Sequence, residues 1–356
     1  MSVGAAAGAG DRFPAGGLVL GIETSCDESA AAVVAGGREL RSNVIASQVA
    51  AHRKFGGVVP EVASRKHLET IVGVVDAALA EAGVRLTDLS GVAVTYGPGL
   101  VGSLLVGVST AKALALAKDL PLVGVHHVEA HIYANFLDEP GLEPPLVCLT
   151  VSGGHTALFH LPEYGRYVLL GQTRDDAAGE ALDKVARVLG LGYPGGPALE
   201  KLAEEGDPGA VPLPRGLAGE ETLDFSFSGL KTAALSFLNS VRQREGAIPP
   251  EVARDLAASL QWAVVDVLAG RAVAAAARAG VRTLIVSGGV AANRSLRAEI
   301  RRRGGEAGLS VHFPPASLCT DNAAMVACAG YYRLRRGERA GLDLNAVPNL
   351  PLAAEE

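Results

Sequence analysis

Cysteine is scarce in this chain of 356 residues, and the few cysteines lie far apart in the sequence. They are Cys26, Cys148, Cys319 and Cys328, with no CxxC pair among them. Disulfide frameworks and zinc knuckles both depend on a denser cysteine pattern, so the sequence argues against either. We therefore expect four reduced thiols and a cytoplasmic protein.

Long uncharged apolar runs are also missing. No stretch reaches the length of about 18 apolar residues without a charge that suggests a membrane-spanning helix, so we expect none. Residues 1–17 are rich in Ala and Gly but lack the basic start and continuous apolar core of a signal peptide. We interpret them as a disordered N-terminal tail.

Net positive charge and aromatic side chains are scarce as well. The net charge is −6 and aromatics make up 4% of the chain, so a generally basic surface for nucleic acid is excluded. RNA contact would need a local patch or a partner protein. The best local candidate is an arginine run on and after one predicted helix, although such runs are more often solvated helix faces: Arg294, Arg297, Arg301, Arg302 and Arg303.

Small and aliphatic side chains are abundant, and their pattern indicates two similar halves. Apolar runs at 18–23 and 30–35 flank the polar turn TSCDES, and runs at 146–152 and 155–160 flank Gly153-Gly154. Each pair predicts a β-hairpin. Further predicted strands at 91–95, 121–125 and 284–286 alternate with predicted helices at 61–82, 104–118, 126–137 and from about 293. This order predicts an α/β fold of two lobes facing one cleft, with largely parallel sheets that are each opened by an antiparallel hairpin.

The most informative local signal is the histidine-rich segment HHVEAH at 126–131. His127 and His131 are four residues apart, so on a helix both project from one face and can bind one metal ion. Two structural histidines are the alternative interpretation. A zinc protease needs its general base directly after the first ligand, where this chain has Val128, whereas Glu129 would lie on the opposite face. The protease interpretation is therefore excluded.

Glycine turns follow two of the predicted strands. The segments VSGGH at 151–155 and VSGGV at 286–290 both place Ser-Gly-Gly after an apolar run. Glycine at such a turn lets backbone N–H groups approach a phosphate closely, and a following helix adds its positive end. Either turn alone is better explained as an ordinary tight turn. Their repetition favours nucleotide binding.

Several acidic residues have an ordinary structural explanation beside a functional one. Asp321 directly precedes an apolar helix, where it or Thr320 would serve as an N-cap. Asp27 and Glu28 lie at the tip of the first hairpin and could be solvated turn residues. The remaining candidates precede a helix whose dipole favours acidic side chains: Asp175, Asp176 and Glu180.

Together these segments resemble the TsaD family of bacterial tRNA threonylcarbamoyl-adenosine transferases. The resemblance runs from about residue 18 to 336 and includes motifs that are far more specific in combination than any glycine turn. They are GIETSCDE (21–28), YGPGLVGSLLVG (96–107), HHVEAH (126–131), VSGGHT (151–156), DDAAGEALDKVARVLGLGYPGGP (175–197), FSFSGLKT (225–232), SGGVAANRSLR (287–297) and TDNAAM (320–325).

The resemblance implies the two-lobed fold of actin, hexokinase and Hsp70, with duplicated lobes of βββαβα type. The first lobe would span 18–139 and be joined by a C-terminal helix at 322–336. The second would span 145–321, and a C-terminal tail would follow at 337–356.

The family's functional residues can be placed on this sequence. His127, His131 and Asp321 match its metal ligands, so the aspartate becomes a ligand instead of a cap. A tyrosine ligand of archaeal relatives is Thr150 here, which leaves a coordination position open. Asp27 and Glu28 would line the active cleft, with Glu28 as a candidate proton acceptor. The positions that match adenylate-binding residues are Thr150, Val151, Ser152, Gly153, Gly154, Asp183, Gly196 and Asn293.

The resemblance implies transfer of L-threonylcarbamoyl from its adenylate to the N6 amine of the adenosine beside the anticodon in tRNAs reading ANN codons. One metal ion would be present, iron(II) first and zinc as the alternative. Implied partners are a paralogous TsaB-like subunit and a TsaE-like ATPase. The open alternatives are a carbamoyltransferase with a small-molecule acceptor and an ATP-dependent kinase, for which a histidine pair is unexpected because Mg²⁺ prefers oxygen ligands.

Overall fold

The computed structural model describes residues 13–137 and 139–353 of the chain. Within them, ten strands form two five-stranded sheets. The first sheet contains β1 (Leu18–Glu23), β2 (Glu28–Ala35), β3 (Glu39–Ser47), β4 (Gly91–Gly97) and β5 (Leu122–His126). The second contains β6 (Leu146–Val151), β7 (Thr156–Glu163), β8 (Arg166–Gln172), β9 (Thr283–Ser287) and β10 (Ser310–His312).

Ten α-helices connect and cover the strands in the same described ranges. They are α1 (Val49–His52), α2 (Pro60–Ala82), α3 (Val101–Lys118), α4 (His127–Tyr133), α5 (Ala178–Val188), α6 (Gly195–Ala203), α7 (Ser228–Glu245), α8 (Pro250–Ala279), α9 (Arg294–Glu306) and α10 (Ala323–Arg335).

The two sheets have the same strand order. It is β3-β2-β1-β4-β5 in the first and β8-β7-β6-β9-β10 in the second, which confirms the predicted duplication. The prediction of largely parallel sheets is wrong, because each sheet is half antiparallel and half parallel. The sequence pattern missed β3 and β8, which extend each hairpin to three strands. These edge strands are mostly exposed or half-buried, so they lack the continuous apolar run of a buried strand.

The carboxyl ends of the central strands gather the segments that carry chemistry. Since β1, β4 and β5 are parallel, Glu23 and His126 lie at the same edge of the first sheet. The parallel strands β6 and β9 likewise place both Ser-Gly-Gly turns at one edge of the second sheet. Crevices at such edges are the usual ligand sites of open α/β sheets.

The C-terminal helix α10 packs on the first sheet and brings its N-terminal end to this edge. The contact with β1 is close: a Cβ added at Gly21 would lie 2.3 Å from the carbonyl oxygen of Ala323. Only glycine permits this approach, so the position of α10 depends on Gly21. Because only Asn322 separates Asp321 from the start of α10, this packing also determines where that carboxylate lies.

Both chain ends contact the first lobe where the structure describes them. The predicted disordered tail is wrong for residues 13–17, because Phe13 is buried edge-to-face against Tyr331. The rest of that prediction, residues 1–12, lies outside the described residues. The C-terminal segment also packs on this lobe: Val347 N–H donates to the Tyr96 carbonyl at 2.8 Å, and His126 Nε2 lies 2.9 Å from the Leu350 carbonyl oxygen.

Two helices, α3 and α8, are long and apolar enough to cross a membrane by length and composition alone. This is weak support for a membrane-spanning helix, because buried core helices of globular domains pass the same test. Much of α8 is buried in the core of the second lobe, where its leucines and alanines pack against β6 and β9.

Candidate metal and substrate site

The three predicted metal ligands come together at the edge of the first sheet. His127 and His131 lie one turn apart on α4. Asp321 faces them from a position two residues before the start of α10. The Nε2 atom of His131 is 3.1 Å from Asp321 Oδ1, and that of His127 is 3.6 Å from the same oxygen. One ligand atom from each residue lies within 4.8 Å of the others, so the three form a potential metal-binding group.

These spacings fit a metal ion. Ligand atoms that each bind zinc at about 2.1 Å in a tetrahedron lie roughly 3.4 Å from one another. Two imidazoles and one carboxylate also suit iron(II) or zinc.

The charges of the site act on one another. Burial lowers the pKa of His127, but the carboxylates of Asp321 and Glu23 outweigh that effect and raise this pKa to about 9. Burial acts to raise the pKa of Asp321, but the histidines outweigh it and hold that pKa well below its usual value. The site therefore favours a cation.

The N-cap explanation for Asp321 is wrong. The residue that caps α10 is Asn322, whose side-chain oxygen accepts a hydrogen bond from the Met325 N–H at 3.1 Å. Asp321 is thereby free to face the histidines. Glu129, on the other side of α4, is fully buried and accepts hydrogen bonds from Tyr167 and Arg333, so it has no part in this site.

A cavity of about 240 Å³ lies in the second lobe and extends as far as the residue directly before Asp321. Gly153, Asp183, Gly196 and Asn293 line it together, and so does Thr320, the neighbour of Asp321. Four of the eight predicted adenylate-binding residues are thus brought to one place. Asp183 is held in position by the Gly196 N–H, which donates to its Oδ1 at 2.9 Å.

The other four predicted residues do not line this cavity. Thr150 and Val151 are buried in β6, and the hydroxyl of Thr150 pairs with Ser287 at 3.0 Å. The hydroxyl oxygen of Ser152 accepts hydrogen bonds within its own turn, from the N–H groups of Gly154 and His155. Gly154 lines a different cavity of about 280 Å³, between this turn and the C-terminal segment.

A sequence profile of the TsaD family, described as tRNA N6-adenosine threonylcarbamoyltransferase, matches residues 39–328. A protein of that name from Symbiobacterium thermophilum is 61% identical over 94% of this chain and 97% of its own length. Another of that name, from Moorella thermoacetica, is 58% identical over the same shares of the two chains. The chain belongs to the TsaD family.

Solved structures of low sequence identity support the fold of this TsaD family member. HypF from T. kodakarensis is 17% identical, with a TM-score of 0.60 over 91% of this chain and 48% of that chain. Component A of the Acidaminococcus fermentans (R)-2-hydroxyglutaryl-CoA dehydratase is 15% identical, with a TM-score of 0.51 over 89% and 98%. These similarities concern the fold alone, and they confirm the predicted two-lobed architecture.

Glycine at position 153 of this TsaD chain has no conformational or packing explanation. Its φ is not positive, and a Cβ added there would meet nothing within 4 Å, because the position faces the cavity. By contrast, a Cβ at Gly179 would lie 2.6 Å from the Ser152 carbonyl oxygen, so that glycine is needed for packing. The absent side chain at Gly153 leaves space for a ligand close to the backbone.

We therefore expect Gly153→Ala to raise the Kd for an adenylate ligand about tenfold while the melting temperature stays within about a degree or two of wild type, since one methyl-sized group in an apolar binding pocket changes the free energy of binding by about 1–3 kcal/mol. Isothermal titration calorimetry and thermal unfolding would measure the two quantities. Gly179→Ala is the matched control, with a clearly lower melting temperature expected. Unchanged affinity in folded Gly153→Ala would show that the ligand does not contact this turn.

Sequence reasoning missed one residue of the TsaD site, Glu23. It is fully buried at the end of β1, and its Oε2 lies 3.3 Å from His127 Nδ1. It also accepts hydrogen bonds from the Thr95 hydroxyl at 2.6 Å and from the Ser25 N–H at 2.5 Å. A carboxylate on the second nitrogen of a ligand histidine fixes the orientation of its ring. The available signal was the acidic residue that ends the apolar run LVLGIE.

Glu23→Gln is expected to lower the affinity for the metal ion about 10- to 100-fold, because it removes the charge that orients and polarises His127. Competition with a chromogenic chelator on metal-free protein would measure this affinity. Glu129→Gln is the matched control: its carboxylate is equally buried on α4 but faces Arg333, so stability should fall while metal affinity stays the same. Equal metal affinity in folded Glu23→Gln and wild type would contradict a positioning role.

The predicted catalytic pair lies in the first-hairpin turn and at the start of β2. Glu28 Oε1 accepts a hydrogen bond from Ser47 at 2.8 Å, whereas Oε2 is buried with no partner among the described residues. Burial raises the pKa of Glu28 to about 7, although the hydrogen bond from Ser47 acts to lower it. The charge of Asp27 adds a smaller increase. Asp27 reaches across the cleft to the Tyr193 hydroxyl, 3.4 Å away.

The arginine run does not form an open basic surface. Arg302 and Arg303 pair with Glu299 and Asp266, and Arg294 pairs with Glu200 and Glu204. The guanidinium of Arg297 donates hydrogen bonds to two backbone carbonyls. The guanidinium groups of Arg297 and Arg301 both lie over the Phe313 ring. Most of these charges are already compensated, which favours the structural explanation over RNA contact.

The acidic residues before α5 also have structural partners. Asp175 accepts hydrogen bonds from the Phe227 N–H and the Ser228 hydroxyl at the start of α7. Asp176 forms ion pairs with Lys184 and Lys231.

Proposed function

We propose that this chain transfers an L-threonylcarbamoyl group from threonylcarbamoyl-adenylate to N6 of the adenosine beside the anticodon in tRNAs reading ANN codons, and releases AMP. The observation that carries the proposal is the position of Thr320, which lines the cavity of the second lobe and directly precedes Asp321 of the potential metal-binding group. The names of relatives up to 61% identical support the same reaction.

The cavity residues can hold the adenylate in the orientation that this reaction needs. Backbone N–H groups near Gly153 and Gly289 can donate to the phosphate, because no side chain covers either glycine. Asp183, which also lines the cavity, can accept hydrogen bonds from ribose hydroxyls. The carbamoyl group would then be near Thr320, and an iron(II) or zinc ion held by His127, His131 and Asp321 would supply Lewis-acid polarisation of its carbonyl.

Transfer itself replaces one bond to the carbamoyl carbon with another. The N6 amine of adenosine forms the new C–N bond, the C–O bond to the phosphate breaks, and AMP leaves with the electron pair. The amine must lose one proton in this step. Glu28 is suited to accept it, because its Oε2 is unpartnered and a pKa near 7 matches a base that works at neutral pH.

Neither rival activity has comparable support. A carbamoyltransferase with a small-molecule acceptor would use the same metal and adenylate sites, but the relatives at 52–61% identity all carry the name of the tRNA enzyme. A kinase would hold Mg²⁺ with oxygen ligands, whereas His127 and His131 offer imidazole nitrogen. From a role in tRNA modification we also infer that the protein works in the cytoplasm.

The partners that the resemblance implies, a paralogous subunit and an ATPase, remain part of this proposal. One surface suits the paralogous subunit: Leu68 and Val72 are 67% and 65% exposed one turn apart on α2, and Val101 and Leu105 are exposed on the adjacent α3. Exposed apolar side chains that cluster on neighbouring helices are typical of protein–protein interfaces. Leu116, near the far end of α3, is equally exposed but stands apart in sequence from this cluster.

The double variant Leu68→Asp, Val72→Asp is expected to weaken binding of the paralogous subunit at least 100-fold, because two charges would be buried without partners. Size-exclusion chromatography and titration calorimetry of the mixed subunits would show the loss. Leu116→Asp is the control and should assemble normally. Normal assembly of the double variant would place the interface elsewhere.

The experiment that tests the reaction follows labelled threonylcarbamoyl from synthetic adenylate to tRNA with an ANN-reading anticodon. Wild-type protein is assayed with and without the two partner proteins, and the nucleosides are identified after digestion of the tRNA. Modified adenosine in the tRNA supports the proposal. Label that moves only to small-molecule acceptors, in every partner combination, would replace it with the carbamoyltransferase alternative.

A further inference from the structure

A short turn after α1 carries an unusual group of exposed side chains, Arg53, Lys54 and Phe55. Phe55 is 52% exposed, and every other aromatic residue in the described part of the chain is buried or half-buried. Lys54 Nζ lies 4.9 Å from the centroid of the Phe55 ring. Neither Arg53 nor Lys54 forms an ion pair within the described ranges, in contrast to most of the arginine run on α9.

The turn stands at the entrance to the cleft. The carbonyl of Gly56, the next residue, accepts a hydrogen bond from Arg187 of the second lobe. Gly56 also lines a cavity of about 220 Å³ between the lobes, together with Tyr193, Gly153 and Asp183. Gly153 and Asp183 also line the 240 Å³ cavity of the second lobe, so the two cavities are direct neighbours.

A single exposed aromatic ring beside two unpaired cations has the chemistry of a contact for unstacked nucleic acid. Bases that leave a helical stack are held on aromatic faces, and basic side chains hold the phosphates beside them. An adenosine in an anticodon loop must leave its stack to enter a cleft between two lobes. Its neighbours in the loop then remain at the rim, where this turn lies.

We propose that Arg53, Lys54 and Phe55 bind the anticodon loop of the substrate RNA, with the base of a nucleotide next to the target adenosine stacked on Phe55 and its phosphates held by Arg53 and Lys54. The inference rests on the proposed function, since it takes the acceptor to be tRNA. It locates the RNA contact on the first lobe, in a chain whose net charge of −6 offers no general attraction to RNA.

The first test separates RNA binding from chemistry. Phe55→Ala should raise the KM for tRNA about tenfold and leave the KM for the adenylate, the metal content and kcat within twofold, because the variant has no aromatic ring on which the base can stack. Phe55→Tyr should restore the wild-type KM. Leu342→Ala is the matched control, since Leu342 is exposed to nearly the same degree, 53%, and lies outside the turn.

The second test concerns the two cations and needs no catalysis. Fluorescence anisotropy with full-length tRNA, at several salt concentrations, gives the slope of log K against log salt. Arg53→Gln, Lys54→Gln should reduce the size of this slope by about 1.4, because each cation that neutralises a phosphate of a single strand contributes roughly 0.7 to it. An unchanged slope together with an unchanged KM in Phe55→Ala would overturn the proposal.

The outcomes also distinguish this proposal from the reaction on which it rests. If wild type binds tRNA, the variants bind it more weakly and no transfer occurs, the RNA contact stands and the proposed reaction fails. If transfer proceeds and the variants match wild type in both tests, the reaction stands and the RNA contact fails. If the variants lose only assembly with a partner protein, the turn is a protein-binding surface and the proposal is overturned.

Discussion

Asp321→Ala is expected to abolish metal binding and to lower the rate of transfer to tRNA about 10³-fold. The carboxylate is the only one of the three ligands that comes from outside α4, and its Oδ1 lies 3.1 Å and 3.6 Å from the two histidines. Metal ions supply several kcal/mol of charge stabilisation in reactions of this kind, and each 1.4 kcal/mol changes a rate about tenfold. Metal content by elemental analysis and single-turnover transfer would be measured on the same preparations.

His127→Ala should behave in the same way, since it removes a second ligand from the same group. Asp266→Ala is a suitable control, because that half-buried aspartate pairs with Arg303 and Arg215 and does not line the cavity of the second lobe, so its loss should affect stability alone. Full transfer activity in a folded, metal-free Asp321→Ala protein would contradict the proposed role of the site.

Glu28→Gln is expected to slow transfer about 10²- to 10⁴-fold, the usual contribution of a positioned general base. The amide has nearly the same shape as the carboxylate and can keep the hydrogen bond to Ser47, so the fold should be retained. Binding of the adenylate and the metal content should not change. Rapid-quench transfer at saturating tRNA would measure the chemical step.

The pH dependence of the transfer rate tests whether Glu28 is the group that accepts the proton. Only deprotonated Glu28 can accept a proton, so the wild-type rate should rise with pH and level off above about 7, the pKa of this carboxyl group. The rise should disappear in Glu28→Gln. Ser47→Ala removes a hydrogen bond that lowers this pKa, so the midpoint should move to higher pH with Glu28 still present. The same rise through pH 7 in Glu28→Gln would assign the proton to another group.

Features that depend on neighbours in sequence could be predicted. His127 and His131 project together because they are one turn apart on a single helix, and spacing is enough to establish that. The two hairpins and the two Ser-Gly-Gly turns were recognised for the same reason, as apolar runs and turn residues within a few positions of each other. The edge strands β3 and β8 were missed because exposed strands lack that pattern.

Features that depend on distant residues could not be predicted from pattern alone. The sequence near Asp321 favoured a helix cap, and the resemblance alone pointed to a ligand; the structure shows why, since Asn322 caps α10 and leaves the carboxylate to His131, 190 positions away. The arginine run gave no sign of the acidic partner that Arg303 finds on α8.

Local pattern was enough to establish the α/β class and the helical histidine pair, and the motifs were enough to establish the family. The contact of Glu23 with His127, the opening of Gly153 into the cavity that Thr320 also lines, and the position of Phe55 beside Gly56 at the cleft became visible only in the folded chain. The physical reason is the range of the interactions. Backbone geometry relates residues within a few positions of each other, whereas the packing of strands and helices decides which distant side chains share one site.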